Sequence, residues 1–242
     1  ANDPRLLRGL ELWAVGHFEE ARGEFETLRT ATRGDARAQY ALALRFREIG
    51  LYRGSILCAQ RVIALSPEGH VLAVPRFIAR LAYPTYYAPL VLADAAAQGL
   101  DPLLVFALIR QESLFESLAT SGASAHGLMQ VIPSTGAQIA AELGWPPNYA
   151  TADLYRPLVS VRFGTYYLAQ QRDRFDGRLE VALAAYNGGP GNAQRWLAGA
   201  GNDPDLFLEL ITFAETRSYL ERIKEHLAVY QALYGMPRAD WP

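Results

Sequence analysis

Residues Leu103 to Ser117 read LLVFALIRQESLFES, which puts an acid into an otherwise apolar helical pattern. At about 100° per residue, Glu112 falls within a stripe of Leu104, Val105, Leu108, Ile109 and Phe115, while Arg110 points the other way. Taking a carboxylate out of water disfavours its charged form, so such a group is neutralised, partnered or kept protonated for use. A carboxyl whose pKa is lifted towards neutrality can serve as a general acid, for example on the oxygen of a glycosidic bond. A partly buried glutamate satisfied by a backbone donor or an arginine is the competing reading, and periodicity alone leaves both open.

Three further segments bear on that choice. GLMQ at Gly127 to Gln130 lies between helices just before Pro133, so Gln130 projects an amide from the loop that follows the Glu112 helix. AAYNGGPG at Ala184 to Gly191 ends a helix at Asn187 and turns on glycines, presenting Tyr186 and Asn187 at a helix terminus. FAETRSY at Phe213 to Tyr219 opens the last helix with Glu215. Singly, each has an ordinary explanation: a polar loop, a glycine cap, and an acid complementing the dipole of a helix start. Glu116, four residues beyond Glu112, would share its helix face, but it falls where the helix frays and reads as a solvated acid.

The elements that must position these residues are helical. In the first third, Gly16-His17-Phe18 followed by Ala21 and Phe25 recurs as Gly50-Leu51-Tyr52 followed by Ser55 and Ala59, an offset of 34 residues. That is the period of tetratricopeptide helical hairpins, although two generic helix pairs of an α-solenoid read the same way. Pro67, Pro75, Pro84 and Pro89 then interrupt the chain, and a boundary between an α-helical, solenoid-like segment (1–82) and a second domain (83–242) is placed there. Beyond it, Asp101-Pro102 is an N-cap with proline at the first helical position, and Pro133-Ser134-Thr135 opens another helix. Arg162 to Phe175, Leu179 to Asn187, Asn192 to Ala198 and Glu215 to Tyr234 follow as helices. Nothing alternates with period two, so the expected fold class is all-α with little β-structure.

Composition removes several functions. The formal net charge of −2 and the absence of a basic stripe interleaved with aromatics argue against a nucleic-acid partner. A single cysteine, Cys58, excludes an internal disulfide and reads as a small buried hydrophobe. Histidines at 17, 70, 126 and 226 show no ligand spacing, and no calcium loop occurs, so neither metal nor cofactor is expected. GASAH at Gly122 to His126 fails the serine-hydrolase elbow at its last glycine, and no lysine-serine pair follows the glycines of Asn187 to Gly191 as phosphate binding would need. The central apolar run from Leu103 to Ile109 is far short of the about 20 residues that span a bilayer, so no transmembrane segment is expected. The sequence starts at Ala1 and carries no signal peptide, which is compatible with removal of an upstream signal or domain.

Taken together, RQES at Arg110 to Ser113, GLMQVIP at Gly127 to Pro133, AAYNGGPG, and ITFAETRSYLERI at Ile211 to Ile223 resemble the soluble lytic murein transglycosylase family, relatives of goose-type lysozyme. The four motifs stand in the family's order, and the resemblance covers roughly residues 83–234. It implies a lysozyme-like catalytic domain in which Glu112 is the catalytic acid, with Ser121, Gln130, Tyr186, Asn187 and Glu215 around the substrate and Tyr219 as a further cleft candidate. Ser124, where the family often has glycine, Ile132, where it often has methionine, and His126 are departures that bear on loop shape. Residues 1–82 resemble, by helical pattern, the superhelical arm that larger members carry before their catalytic domain.

The same resemblance implies that one glutamate first protonates the bond between N-acetylmuramic acid and N-acetylglucosamine. It then takes the proton of the muramic C6 hydroxyl, which closes a 1,6-anhydro ring. The implied partners are peptidoglycan glycan strands, with a protein partner open to the N-terminal helices, and the implied location is the periplasm or cell envelope. A hydrolytic lysozyme using the same acid, and a non-catalytic wall-binding module, are the alternatives.

Overall fold

A computed structural model describes residues 3–235, so the outermost ends of both expected segments, residues 1–2 and 236–242, lie outside the described residues. The fold is all-α: among the described residues regular structure consists of α-helices and one short 3-10 turn, with two isolated β-bridges and no strand. Two compact units divide the chain, Ala1–Pro84 and Thr85–Pro242.

The first unit holds α1 (Pro4–Ala14), α2 (Phe18–Ala31), α3 (Ala36–Glu48), α4 (Tyr52–Ala64) and α5 (Arg76–Ala82). The 34-residue echo corresponds to its hairpin turns, since Gly16 and Gly50 reverse the chain before α2 and α4 at φ of 86° and 77°, values that suit glycine. The matched small residues Ala21 and Ser55 are both buried, and Ser55 Oγ donates to the Ala43 carbonyl at 2.7 Å. Helices can approach closely there because no large side chain keeps them apart. Cys58 is buried on α4, and desolvation pushes its thiol up to about 12, the profile of an inert core residue.

The second unit contains α6 (Ala88–Gln98), α7 (Pro102–Ser113), α8 (Pro133–Leu143), the 3-10 turn Thr151–Tyr155, α9 (Pro157–Arg174), α10 (Leu179–Gly188), α11 (Pro190–Ala200), α12 (Pro204–Leu210) and α13 (Ala214–Tyr234). Asp101 caps α7 as expected, its carboxylate accepting from Leu103 N at 2.8 Å. Every residue of α7 from Leu103 to Arg110 is buried, so this is a central helix wrapped on all sides rather than an amphipathic one. Arg110, which by helix spacing faces away from the Glu112 stripe, is buried as well, and its Nη1 lies 2.9 Å from Nε2 of His226 on α13. Burial first, then the Arg110 and Arg222 charges, push His226 down to about 3, so its ring is neutral and accepts the arginine proton.

Candidate active site

Glu112 lies in the last full turn of α7, which stops because Leu114 and Phe115 both adopt left-handed backbone (φ 52° and 62°). Neither is glycine, and such a conformation costs roughly 1–2 kcal/mol per residue. Burial of the Phe115 ring, with ring centroids 5.7 Å from Tyr86 and 6.4 Å from Phe106, offsets that strain. The chain thus leaves the helix one residue after Ser113 and runs into the loop that forms one wall of a groove of about 490 Å³.

That groove is lined by Glu112 with Gln111 from α7, Ser121 and Gln130 from the loop, Asn187 from α10, and Ala214, Glu215, Ser218, Tyr219 and Arg222 from α13. Of the residues singled out in the sequence, Glu112, Ser121, Gln130, Asn187, Glu215 and Tyr219 come together here, while Tyr186 does not line the groove. Gln111, Ser218 and Arg222 went unnoticed. For the α13 pair a signal existed, because Glu215, Ser218, Tyr219 and Arg222 follow the three- and four-residue spacing of one helix face.

The Glu112 carboxyl is pushed up to about 7, first by burial and then by the negative charge of Glu215. Its place at the negative end of the α7 dipole acts in the same direction. Tyr219 opposes the rise, since its hydroxyl donates to Glu112 Oε1 at 2.6 Å and steadies the ionised form. Burial, first of all, holds the Tyr219 hydroxyl itself well above its ordinary value, so it remains a donor across the usable pH range.

Side chains from three helices pin the GLMQ turn. Ser113 Oγ on α7 donates to the Leu128 carbonyl at 2.9 Å, Ser160 Oγ on α9 accepts from Met129 N at 3.1 Å, and Tyr186 on α10 donates to the Met129 carbonyl at 2.6 Å. The Tyr186 proton is therefore committed to the backbone behind the groove wall. Gly127 has a φ of 78°, and a Cβ on it would run into the Leu154 carbonyl and Ser160 Oγ, so only glycine fits. Gln130, also left-handed at φ 48°, donates its side-chain amide to the carbonyls of Gly127 (2.8 Å) and Ala119 (3.2 Å). What it offers the groove is consequently the carbonyl oxygen, an acceptor.

Ser121 Oγ accepts from Ala125 N at 3.0 Å and keeps its own proton to donate. Ser124 takes the left-handed backbone (φ 59°) that a glycine would adopt freely. His126 is braced by the Tyr155 hydroxyl, 2.8 Å from Nδ1. On the opposite side, Thr216 donates to Asn187 Oδ1 at 2.7 Å, which fixes the amide with its nitrogen available as a donor. Glu116 lies beyond the left-handed turn, so the helical four-residue relation to Glu112 does not hold, and it does not line the groove.

A near-neutral acid, a hydroxyl contacting it, and donors and acceptors on both walls can deliver a proton to a bound polar polymer and orient its substituents. Residues 89–206 match the family model described as the transglycosylase SLT domain. The chain is 30% identical over 159 residues, 65% of its length, to the soluble lytic murein transglycosylase of Salmonella typhimurium. Two crystal structures superpose on it with a TM-score of 0.79. One is an inactive Glu-to-Gln mutant of the lytic transglycosylase Slt from Pseudomonas aeruginosa (28% identity, 98% of this chain, 36% of that one). The other is the 70 kDa soluble lytic transglycosylase of Escherichia coli at a TM-score of 0.79 (26% identity, 99% of this chain, 38% of that one). The chain spans about a quarter of the length of the curated relative it matches, 25% in the Salmonella case.

Proposed function

We propose that this chain is a peptidoglycan lytic transglycosylase whose 83–242 domain cleaves the β-1,4 bond between N-acetylmuramic acid and N-acetylglucosamine. The observation that carries this reading is Glu112, a carboxyl pushed up to about 7 at a groove whose walls offer Gln130, Asn187, Glu215 and Tyr219. Its relatives are lytic transglycosylases, and one of them is inactive once a glutamate becomes glutamine.

In the first half of the reaction Glu112 protonates the glycosidic oxygen, the bond to muramic C1 breaks, and the substrate's own acetamido group stabilises the cationic carbon. The glutamate, now ionised, accepts the Tyr219 hydrogen bond. In the second half it removes the proton of the C6 hydroxyl, whose oxygen attacks C1 and closes the 1,6-anhydro ring. No water is consumed, and Glu112 ends protonated as it began. One group serves both halves because a pKa near the working pH makes it competent as acid and as base, a contribution of roughly 10² to 10⁴ in rate.

Gln130 is suited to accept from a sugar hydroxyl or acetamido N–H and Asn187 to donate, while Ser121 contributes a hydroxyl from the loop. Residues 1–82 are the helical arm, a surface open to a protein partner, and the site of action is the cell envelope, where peptidoglycan lies. Digestion of purified murein by the wild-type protein and by Glu112→Gln tests the assignment. Soluble products ending in anhydromuramic acid, lost in the variant, are expected. Reducing ends would instead identify a lysozyme, and unchanged turnover in the variant would remove Glu112 from the chemistry.

A further inference from the structure

The Glu112 groove carries opposite charges along one wall. Glu215 and Arg222 both line it from α13. Seven residues at about 1.5 Å each put roughly 10 Å of helix between them. Ser218 and Tyr219 lie between, and Tyr219 contacts the acid, so Arg222 lies one turn beyond the point of bond cleavage. Arg222 is exposed and forms no salt bridge among the described residues. Its near neighbour His226 is neutral and buried, so it does not compete for an anion.

We propose that Arg222 is a carboxylate subsite of the groove, which favours saccharides whose muramic residue carries a carboxyl over otherwise similar saccharides that carry none. The inference rests on the peptidoglycan reading above. A guanidinium presents a planar fork of donors that matches a carboxylate in two parallel hydrogen bonds. Glu215 repels the same anion at the other end, so the pair sets the direction in which a strand lies across Glu112. Two sources share this chemistry: the lactyl carboxyl of a muramic residue stripped of peptide, and the free carboxyls of an attached peptide. A saccharide built of N-acetylglucosamine alone has neither.

Calorimetric titration of the full chain carrying Glu112→Gln, in which nothing is cleaved, provides the test. The probes are chitotetraose, a peptide-free murein tetrasaccharide and the same tetrasaccharide bearing its peptides, each repeated after adding Arg222→Gln or Arg222→Lys. With Arg222→Gln, affinity for at least one murein saccharide is expected to fall about three- to tenfold relative to chitotetraose, with Arg222→Lys restoring part of the ratio. Whichever murein saccharide responds identifies the source of the carboxyl. An unchanged ratio, or a parallel fall for all three probes, overturns the inference while leaving the glycan reading intact. Absence of binding by every probe with Arg222 in place overturns both.

Discussion

The Tyr219 hydroxyl stands 2.6 Å from Glu112 Oε1, joining two residues 107 positions apart across the contact of α7 with α13. Because the tyrosine donates, it favours the ionised carboxyl. Tyr219→Phe is therefore expected to raise the Glu112 pKa above about 7 and move the alkaline limb of the activity profile to higher pH. Loss of a hydrogen bond to a charged group lowers peak turnover about tenfold. Rates of muropeptide release from pH 5 to 9 give both readings.

Glu215→Gln should move the same limb the other way. The Glu215 charge raises the Glu112 pKa, so removing it lets the acid ionise at lower pH. Opposite displacement of the two variants, measured in one buffer series, separates an electrostatic effect on Glu112 from a general loss of fold.

Stability carries its own pH signature. Folded Glu112 holds its proton up to about 7 against an ordinary 4.5, so its contribution is fully present below about 4.5 and is lost as pH rises through 7. Glu112→Gln has no such loss. Its Tm relative to wild type should therefore rise from little change at pH 4.5 to a gain of several degrees at pH 8, read by thermal melts at both values.

Gly127→Ala tests the rigidity of the GLMQ turn. The added methyl meets the Leu154 carbonyl and Ser160 Oγ while the backbone sits at φ 78°, so the turn must move. A loss of about 3 kcal/mol or more is expected from combined strain and the Met129 hydrogen bond, seen as a Tm drop of roughly 6–12 °C. Activity should fall further than stability, since Gln130 moves with the turn.

What the sequence made legible was whatever depends on local pattern. An acid inside an apolar period pointed to Glu112, proline and aspartate marked the start of α7, and paired glycines marked the hairpins of the first unit. Direction across helices was hidden. Nothing in FAETRSYLERI says that the Tyr219 ring reaches Glu112, or that Arg222 shares its groove. Tyr186 has the residue type of a groove hydroxyl, yet its partner is the Met129 carbonyl, a contact between segments 57 residues apart. The burial of Arg110 was hidden too, because periodicity assumes one dry face, whereas α7 is enclosed and its arginine finds His226. Proline also conceals helices as well as announcing them. Both α6 and α12 open on early prolines and passed unrecognised, and α9 begins at Pro157 rather than Arg162 because proline fits the first turn of a helix.

The bond from Ser113 to the Leu128 carbonyl ties the acid's own helix to the turn that carries Gln130. Proton donor and facing wall are consequently one mechanical part, and α13 is fastened to it both by the Tyr219 hydroxyl at the acid and by His226 against Arg110 further along. The acid is thus braced from both sides before anything enters the groove.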